Sequence, residues 1–221
     1  MFERFTADAR EVVRGAVGHA EETGTDTVGE AELLLALLDR AGGDRTGSDS
    51  PGSDRPGSDR PGSDRKASGR TNSPAAEVLT ALGAHGRRAS IERSLAEVRR
   101  RGGITGADAE ALAGLGIDVD EIVARVEESH GVGALATAGS TPARAPRRGR
   151  RLARRPFSRE AKSVLERSLR IALARGDKHI GDEHLLLSLT ARPGVAAHVL
   201  ADHGVTYVQV ERALTARAAN G

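Results

Sequence analysis

Cysteine and tryptophan are absent from the 221 residues, and phenylalanine and tyrosine together number four. Without cysteine there are no disulfides, no thiolate nucleophiles and no cysteine-ligated zinc. With so few aromatics, a core has to be assembled from Leu, Val, Ile and Ala, which suits close helix packing better than a sandwich. No run of 18 apolar residues offers a membrane span, and nothing reads as a secretory leader, so the cytosol is the expected location. No excess of one charge exists either: 33 basic residues face 31 acidic ones. The pI near 9.5 reflects arginine at near balance and does not by itself point to nucleic acid.

Catalytic signatures are missing as well. The glycines between 42 and 69 are not followed by the Gly-Lys-Ser/Thr of a phosphate loop, so ATP hydrolysis is not expected. Ser158, Ser163 and Ser168 lack a glycine elbow, and the seven histidines form no His-Glu-x-x-His pair. His179 and His184 flank Asp182 and Glu183, yet His184 reads as a structural histidine. The expectation is a protein with no enzymatic activity, no metal and no cofactor.

What is present is a duplication. HIGDEHLLLSL (179–189) has a counterpart in TVGEAELLLAL (27–37), where Gly29 aligns with Gly181 and Leu33 to Leu35 with Leu185 to Leu187. The offset of 152 also relates Phe5-Thr6 to Phe157-Ser158, and shared offsets over a 30-residue unit indicate an internal repeat. Thr6 and Ser158 are the expected helix N-caps, each after a phenylalanine placed as a staple. Asp182 can cap the second helix of the later copy, with Glu183 in its first turn. In the earlier copy, Gly15 and Gly18 weaken the first helix by about 1 kcal/mol each relative to alanine.

Between 41 and 71 the periodicity stops. GSDSP, GSDRP, GSDRP and GSDRK follow one another, with proline every fifth residue and no apolar positions, the composition of a disordered insert. Beyond it, Ala75–Leu79 aligns with Ala196–Leu200 at an offset of 121, so the first copy is 31 residues longer than the second. The chain therefore divides into a first repeat (1–102) carrying the insert (41–71), a helical spacer (103–135), a basic linker (136–155) and a second repeat (156–221). In the spacer, Thr105 and Asp118 are the caps. In the linker, Arg144, Arg147, Arg148, Arg150, Arg151, Arg154 and Arg155 form a positive run without interleaved aromatics, and no nucleic-acid-binding motif accompanies it.

FSREAKSVL, IGDEHLLLSL and VAAHVLADHGV together resemble the N-terminal domain of Clp-family AAA+ unfoldases of the ClpC and ClpA kind. The resemblance covers about residues 1–40, 72–100 and 156–218. It implies an all-α fold of two pseudo-symmetric four-helix Clp repeats, here joined by the spacer and linker, without the ATPase modules. The spacer departs from the family pattern. The resemblance also implies a protein- or peptide-recognition role in the Clp proteolysis system, with unfoldase or protease components, their adaptors or their substrates as partners. In ClpC-like members the helix starts receive phosphorylated arginine. The implied ligand-binding residues are Thr6, Gly29, Glu30 and Glu32 in the first repeat and Ser158, Gly181, Asp182, Glu183 and His184 in the second. The family's glutamate falls on Glu183, whereas its counterpart in the first repeat is Ala31, so recognition is expected to centre on repeat two. An alternative is a sequestering protein that holds cyclic-peptide antibiotics or hydrophobic peptides away from the unfoldase. A more remote one is a nucleic-acid-binding regulator acting through 144–155.

Overall fold

Leucines recurring three and four residues apart set the architecture. In the computed structural model, which describes residues 3–42, 73–137 and 155–220, eleven helices are present among the described residues and extended strands are absent. The first repeat contributes α1 (Ala7–Glu22), α2 (Glu30–Ala41), α3 (Pro74–Ala81) and α4 (Arg88–Arg100). A short 3₁₀ turn, His85–Arg87, precedes α4. The spacer forms α5 (Gly106–Ala113), α6 (Val119–His130) and α7 (Ala134–Thr137). The second repeat forms α8 (Arg159–Arg175), α9 (Asp182–Thr190), α10 (Val195–Asp202) and α11 (Tyr207–Asn220). The insert expected at 41–71 and the basic linker at 136–155 fall almost wholly outside the described residues.

The caps read from the sequence are in place. Thr6 Oγ1 accepts from the Ala9 amide at 3.2 Å and Ser158 Oγ from the Ala161 amide at 3.1 Å. Thr105 and Asp118 cap α5 and α6. One cap differs: α9 begins after Gly181, and Asp182 is its first residue, with its side chain used elsewhere. The helix offset also shifts from 121 to 119 across the 3₁₀ turn, since Leu79 matches Leu200 while Ile91 and Leu95 match Val210 and Leu214.

The core is one body spanning both repeats. Leu33, Leu34, Leu37 and Leu38 of α2 and Leu185, Leu186, Leu187 and Leu189 of α9 are buried in it together. Each such leucine contributes about 1.5–3 kcal/mol of transfer free energy. Within a repeat, α1 packs on α2 and α8 on α9. Each repeat continues inward, α3 on α2 and both α10 and α11 on α9, and the packing also crosses: α10 lies against α4, and α11 against α3. The third and fourth helices of the second repeat thus pack on the first repeat as well as on their own α9. Gly15 has a role in this arrangement beyond weakening its helix. A methyl group there would sit 3.1 Å from the Ala36 Cβ, so glycine lets α1 approach α2 closely.

The spacer sits on the far end of α4. Arg100 holds Glu127 at 2.9 Å, and Arg101 holds Asp120 at 2.9 Å. Among the described residues no helix is long and apolar enough to cross a membrane.

Candidate functional site

The two repeats meet at their helix starts, and the meeting is crossed. Phe5, ahead of α1, pairs in parallel with Ile180, ahead of α9. Phe157, ahead of α8, pairs in the same way with Val28, ahead of α2. The Thr6 amide donates to the Ile180 carbonyl at 3.0 Å and the Ile180 amide to the Arg4 carbonyl at 2.8 Å. The counterparts are Ser158 to Val28 at 2.9 Å and Val28 to Pro156 at 2.9 Å. Each bond maps onto its mate by the same shift of 152 residues. Two junctions result, one joining the starts of α1 and α9 and the other those of α8 and α2. Thr6 therefore lies beside Gly181–Glu183, and Ser158 beside Gly29–Ala31. The repeat-by-repeat grouping of Ser158 with Glu183, or of Thr6 with Gly29, is not the one the backbone builds.

Most of the expected ligand-binding residues at these junctions are occupied by the fold. Glu32, the third residue of α2, accepts from the Gly29 amide at 2.8 Å and from Arg99 of α4 at 2.5 Å, and is 3% exposed. His184 holds the same place in α9. Its Nδ1 accepts from the Gly181 amide at 2.9 Å, and its Nε2 lies 2.9 Å from Asp177 Oδ2. With Nδ1 as acceptor, the proton sits on Nε2 and is donated to Asp177. Burial holds His184 below the usual imidazole range, against the pull of Asp177, so the ring is neutral near pH 7. Glu183 Oε1 lies 3.3 Å from that same Nδ1, an approach that is not an ion pair while the ring is neutral.

Glu30 and Asp182, the first residues of α2 and α9, each reach across to the other repeat. Glu30 Oε1 accepts from the Ala196 amide at 3.3 Å, at the start of α10. Asp182 Oδ2 accepts from Ser73, the N-cap of α3. These reciprocal contacts place carboxylates on the positive ends of the third helices.

That leaves Glu183. Its side chain is 22% exposed, folds over Gly181, and caps no helix amide among the described residues. Its neighbour Asp182 feels its charge, and Arg40 from the end of α2 acts on Asp182 in the opposite sense. Arg40 is itself paired with Asp8 of α1. Asp182 is fully buried, and its Oδ1 has no hydrogen-bond partner among the described residues. Burial, reinforced by Glu183 and opposed by Ser73 and Arg40, pushes its carboxyl up to about 6. The α1/α9 junction thus carries Asp8, Asp182 and Glu183 against Arg40. The α8/α2 junction carries Glu30 and Glu160, with Arg192 acting on Glu160 and Ala31 where Glu183 would be. Its own backbone amide, with Ser158 and Arg192, holds Glu160 below the usual carboxylate range.

Asp8, Arg40 and Ser73 were not among the ligand-binding residues expected from the sequence. The offset carried a signal for the first two, since Asp8 matches Glu160 and Arg40 matches Arg192 at 152 residues. Elsewhere, a groove of about 600 Å³ opens where α4, α10 and the start of α5 meet, lined by Arg93, Ser94, Val98, His198 and Asp202 among others. Among the described residues no three metal-ligating side chains cluster.

Residues 156–221 match the family model described as the Clp repeat (R) N-terminal domain. The match falls on the second repeat. Among solved structures, the chain is similar to the N-terminal domain of the caseinolytic protease associated chaperone ClpD from Arabidopsis thaliana. That likeness covers 99% of this chain and 96% of the other, with 17% identity and a TM-score of 0.46. The first repeat carries the crossed contacts on which α10 and α11 also pack.

Proposed function

We propose that the chain is a non-catalytic recognition module of the Clp proteolysis system. It binds arginine-bearing segments of substrates or adaptors, with phosphoarginine as the form of that mark known in the family. The observation that carries the reading is the asymmetry of the helix starts. Glu30, Glu32, Asp182 and His184 are committed to caps or to cross-repeat contacts, while Glu183 is partly exposed and free of backbone amides. A carboxylate in that position can accept both N–H groups of a guanidinium edge. Ala31 leaves the other junction without the equivalent group.

Isothermal titration with a short arginine peptide and its phosphoarginine form tests this. The expected stoichiometry is nearer one than two, and Glu183→Ala lowers affinity by about 10- to 100-fold, the worth of one charge-assisted pair. Equal binding by wild type and Glu183→Ala would reduce the carboxylate to a helix-start charge. Binding of a hydrophobic cyclic peptide, with neither arginine form bound, would instead favour a sequestering role.

A further inference from the structure

We propose that the spacer of one copy of this chain docks on the exposed face of α8 and α11 of a second copy, joining copies head to tail. This contact is separate from the helix-start junctions and does not depend on Glu183.

Seven large apolar side chains are exposed among the described residues, and they fall in two places. Leu115, Ile117, Ile122 and Val132 belong to the spacer, and Leu169, Leu173 and Val208 to the second repeat. The helices of the first repeat, α1 to α4, have none. Apolar side chains scattered singly need no explanation, whereas grouped ones mark a surface that something covers. Both groups lie open in the folded chain, so neither covers the other within one molecule.

The cap of α6 sets the spacer group. Asp118 accepts from the amides of Asp120 and Glu121 at 2.9 and 3.0 Å. Ile117 and Ile122 stand on either side of that cap, at the positions whose side chains meet across a helix start. Leu115 lies two residues earlier, in the turn after α5, and is 78% exposed. A cleft of about 520 Å³ runs between α5 and α6, lined by Ala113 and Ile117 with Glu110, Asp118 and Asp120 among others. Val132 follows the other end of α6 and is not part of this face. The frame is acidic, since residues 106–137 hold seven acidic side chains and one arginine, Arg125. Arg100 answers Glu127, Arg101 answers Asp120 and Arg125 answers Glu121. Asp108, Glu110, Asp118 and Glu128 have no basic partner among the described residues.

The second group has the opposite frame. Leu169 and Leu173 are one turn apart on α8, on the stripe that also carries Lys162. Five basic residues of α8, Arg159, Lys162, Arg167, Arg170 and Arg175, stand against Glu160 and Glu166. Val208 and Arg212 are likewise one turn apart on α11, which packs with α8 on α9. The corresponding positions of the first repeat, 152 and 119 residues earlier, are Val17, Glu21 and Ala89. Val17 packs against the core and Glu21 is charged, so the first repeat does not present this face.

An apolar group in an acidic frame is thus matched by an apolar group in a basic one, the complementarity that fixes partner and register at an interface. The two faces are different patches of one chain, so the contact is heterologous. Each added copy still offers one free face of each kind, and growth continues unless a ring closes. Leu115, Ile117 and Ile122 against Leu169, Leu173 and Val208 make a small contact, which places it among transient ones.

Sedimentation velocity of the whole chain from about 1 to 500 μM covers the range in which a contact of this size dissociates. The average mass is expected to rise with concentration past that of a dimer, and to fall as salt is raised. Ile122→Ser and Leu173→Ser each remove one apolar side chain from one face, and each is expected to weaken association by at least about tenfold. Both sites are exposed, and thermal melts establish that the variants are folded. Mixing the two variants then separates this contact from any other. Ile122→Ser keeps the α8 face and Leu173→Ser keeps the spacer face, so the mixture is expected to pair with wild-type affinity and to stop at two. A wild-type chain that stays monomeric over the whole range would overturn the proposal. Association that either substitution leaves unchanged would do the same. So would a mixture that associates no better than its separate components, since a face that pairs with itself is not rescued by mixing.

Discussion

Replacing Asp182 by asparagine is expected to stabilise the protein at neutral pH and to do little at acid pH. Asparagine keeps an oxygen for Ser73 and has an N–H₂ to offer Glu183, and it has no charge to bury. In the wild type, the folded-state carboxyl titrates near 6, against 3.8 for the ordinary side chain. A folded value above the unfolded one means that the stability tied to this group is fully present below about pH 4. It is then lost as pH rises through about 6. A rise of about two units corresponds to about 3 kcal/mol between those limits. The variant has no such loss, so its advantage over wild type should grow from near zero at pH 4 to about 3 kcal/mol at pH 7.5. For a chain of this length that is a rise in Tm of about 6–12 °C. Urea denaturation of both proteins at the two pH values measures it, and comparing them at each pH cancels the other titrating groups. An advantage that is the same at both pH values, or a variant less stable than wild type at pH 7.5, would refute the account of Asp182 as a buried acid without a counter-charge.

Four further outcomes follow from the contacts. Glu32→Ala leaves the Gly29 amide and Arg99 without their acceptor and should cost about 2–4 kcal/mol in urea denaturation, with Glu32→Gln recovering part of it. His19 is held above the usual imidazole range chiefly by its hydrogen bond to Asp39, at 2.5 Å, with Glu22 assisting and burial and Arg88 opposing. The stability it adds is therefore present below about pH 6.5 and lost as pH rises through its folded value, so the advantage of wild type over His19→Gln should shrink as pH rises above 6.5. Gly181→Ala places a methyl group on the Glu183 carboxylate at a backbone angle that any residue adopts, so stability should change by less than about 1 kcal/mol while arginine-peptide affinity falls. Ala31→Glu should raise the calorimetric stoichiometry from one toward two, by supplying the α8/α2 junction with the carboxylate it lacks.

Much of the fold was legible before any coordinates. The 152-residue offset, the leucine stripes of α2 and α9, and the caps at Thr6, Ser158, Thr105 and Asp118 are local properties of the chain, and local rules govern them. The crossing was not legible. It rests on single-residue pairings, Phe5 with Ile180 and Val28 with Phe157, which leave no periodic trace. The reach of Glu30 to α10 and of Asp182 to Ser73 was hidden for a related reason. An acidic residue at a helix start has an adequate local explanation in the dipole, and nothing in the sequence says that it serves a different helix. The sequence singled out Glu183 over Ala31 but grouped Glu30, Glu32, Asp182 and His184 with it as helix-start ligand residues. The structure separates them into committed carboxylates and one partly exposed glutamate. Arg40 shows where more could have been read, because its match to Arg192 was visible in the offset.

The central claim is that recognition takes place at a composite junction to which both repeats contribute, α1 from one and α9 from the other. Backbone amide shifts of isotope-labelled protein, followed during titration with an arginine peptide, test it most directly. The account predicts that the largest changes fall together on Thr6–Asp8 and Gly181–His184, with Gly29–Glu32 and Ser158–Glu160 little affected. Changes concentrated on Ser158–Glu160 and Gly29–Glu32, or confined to α8 and α9 without α1, would contradict it.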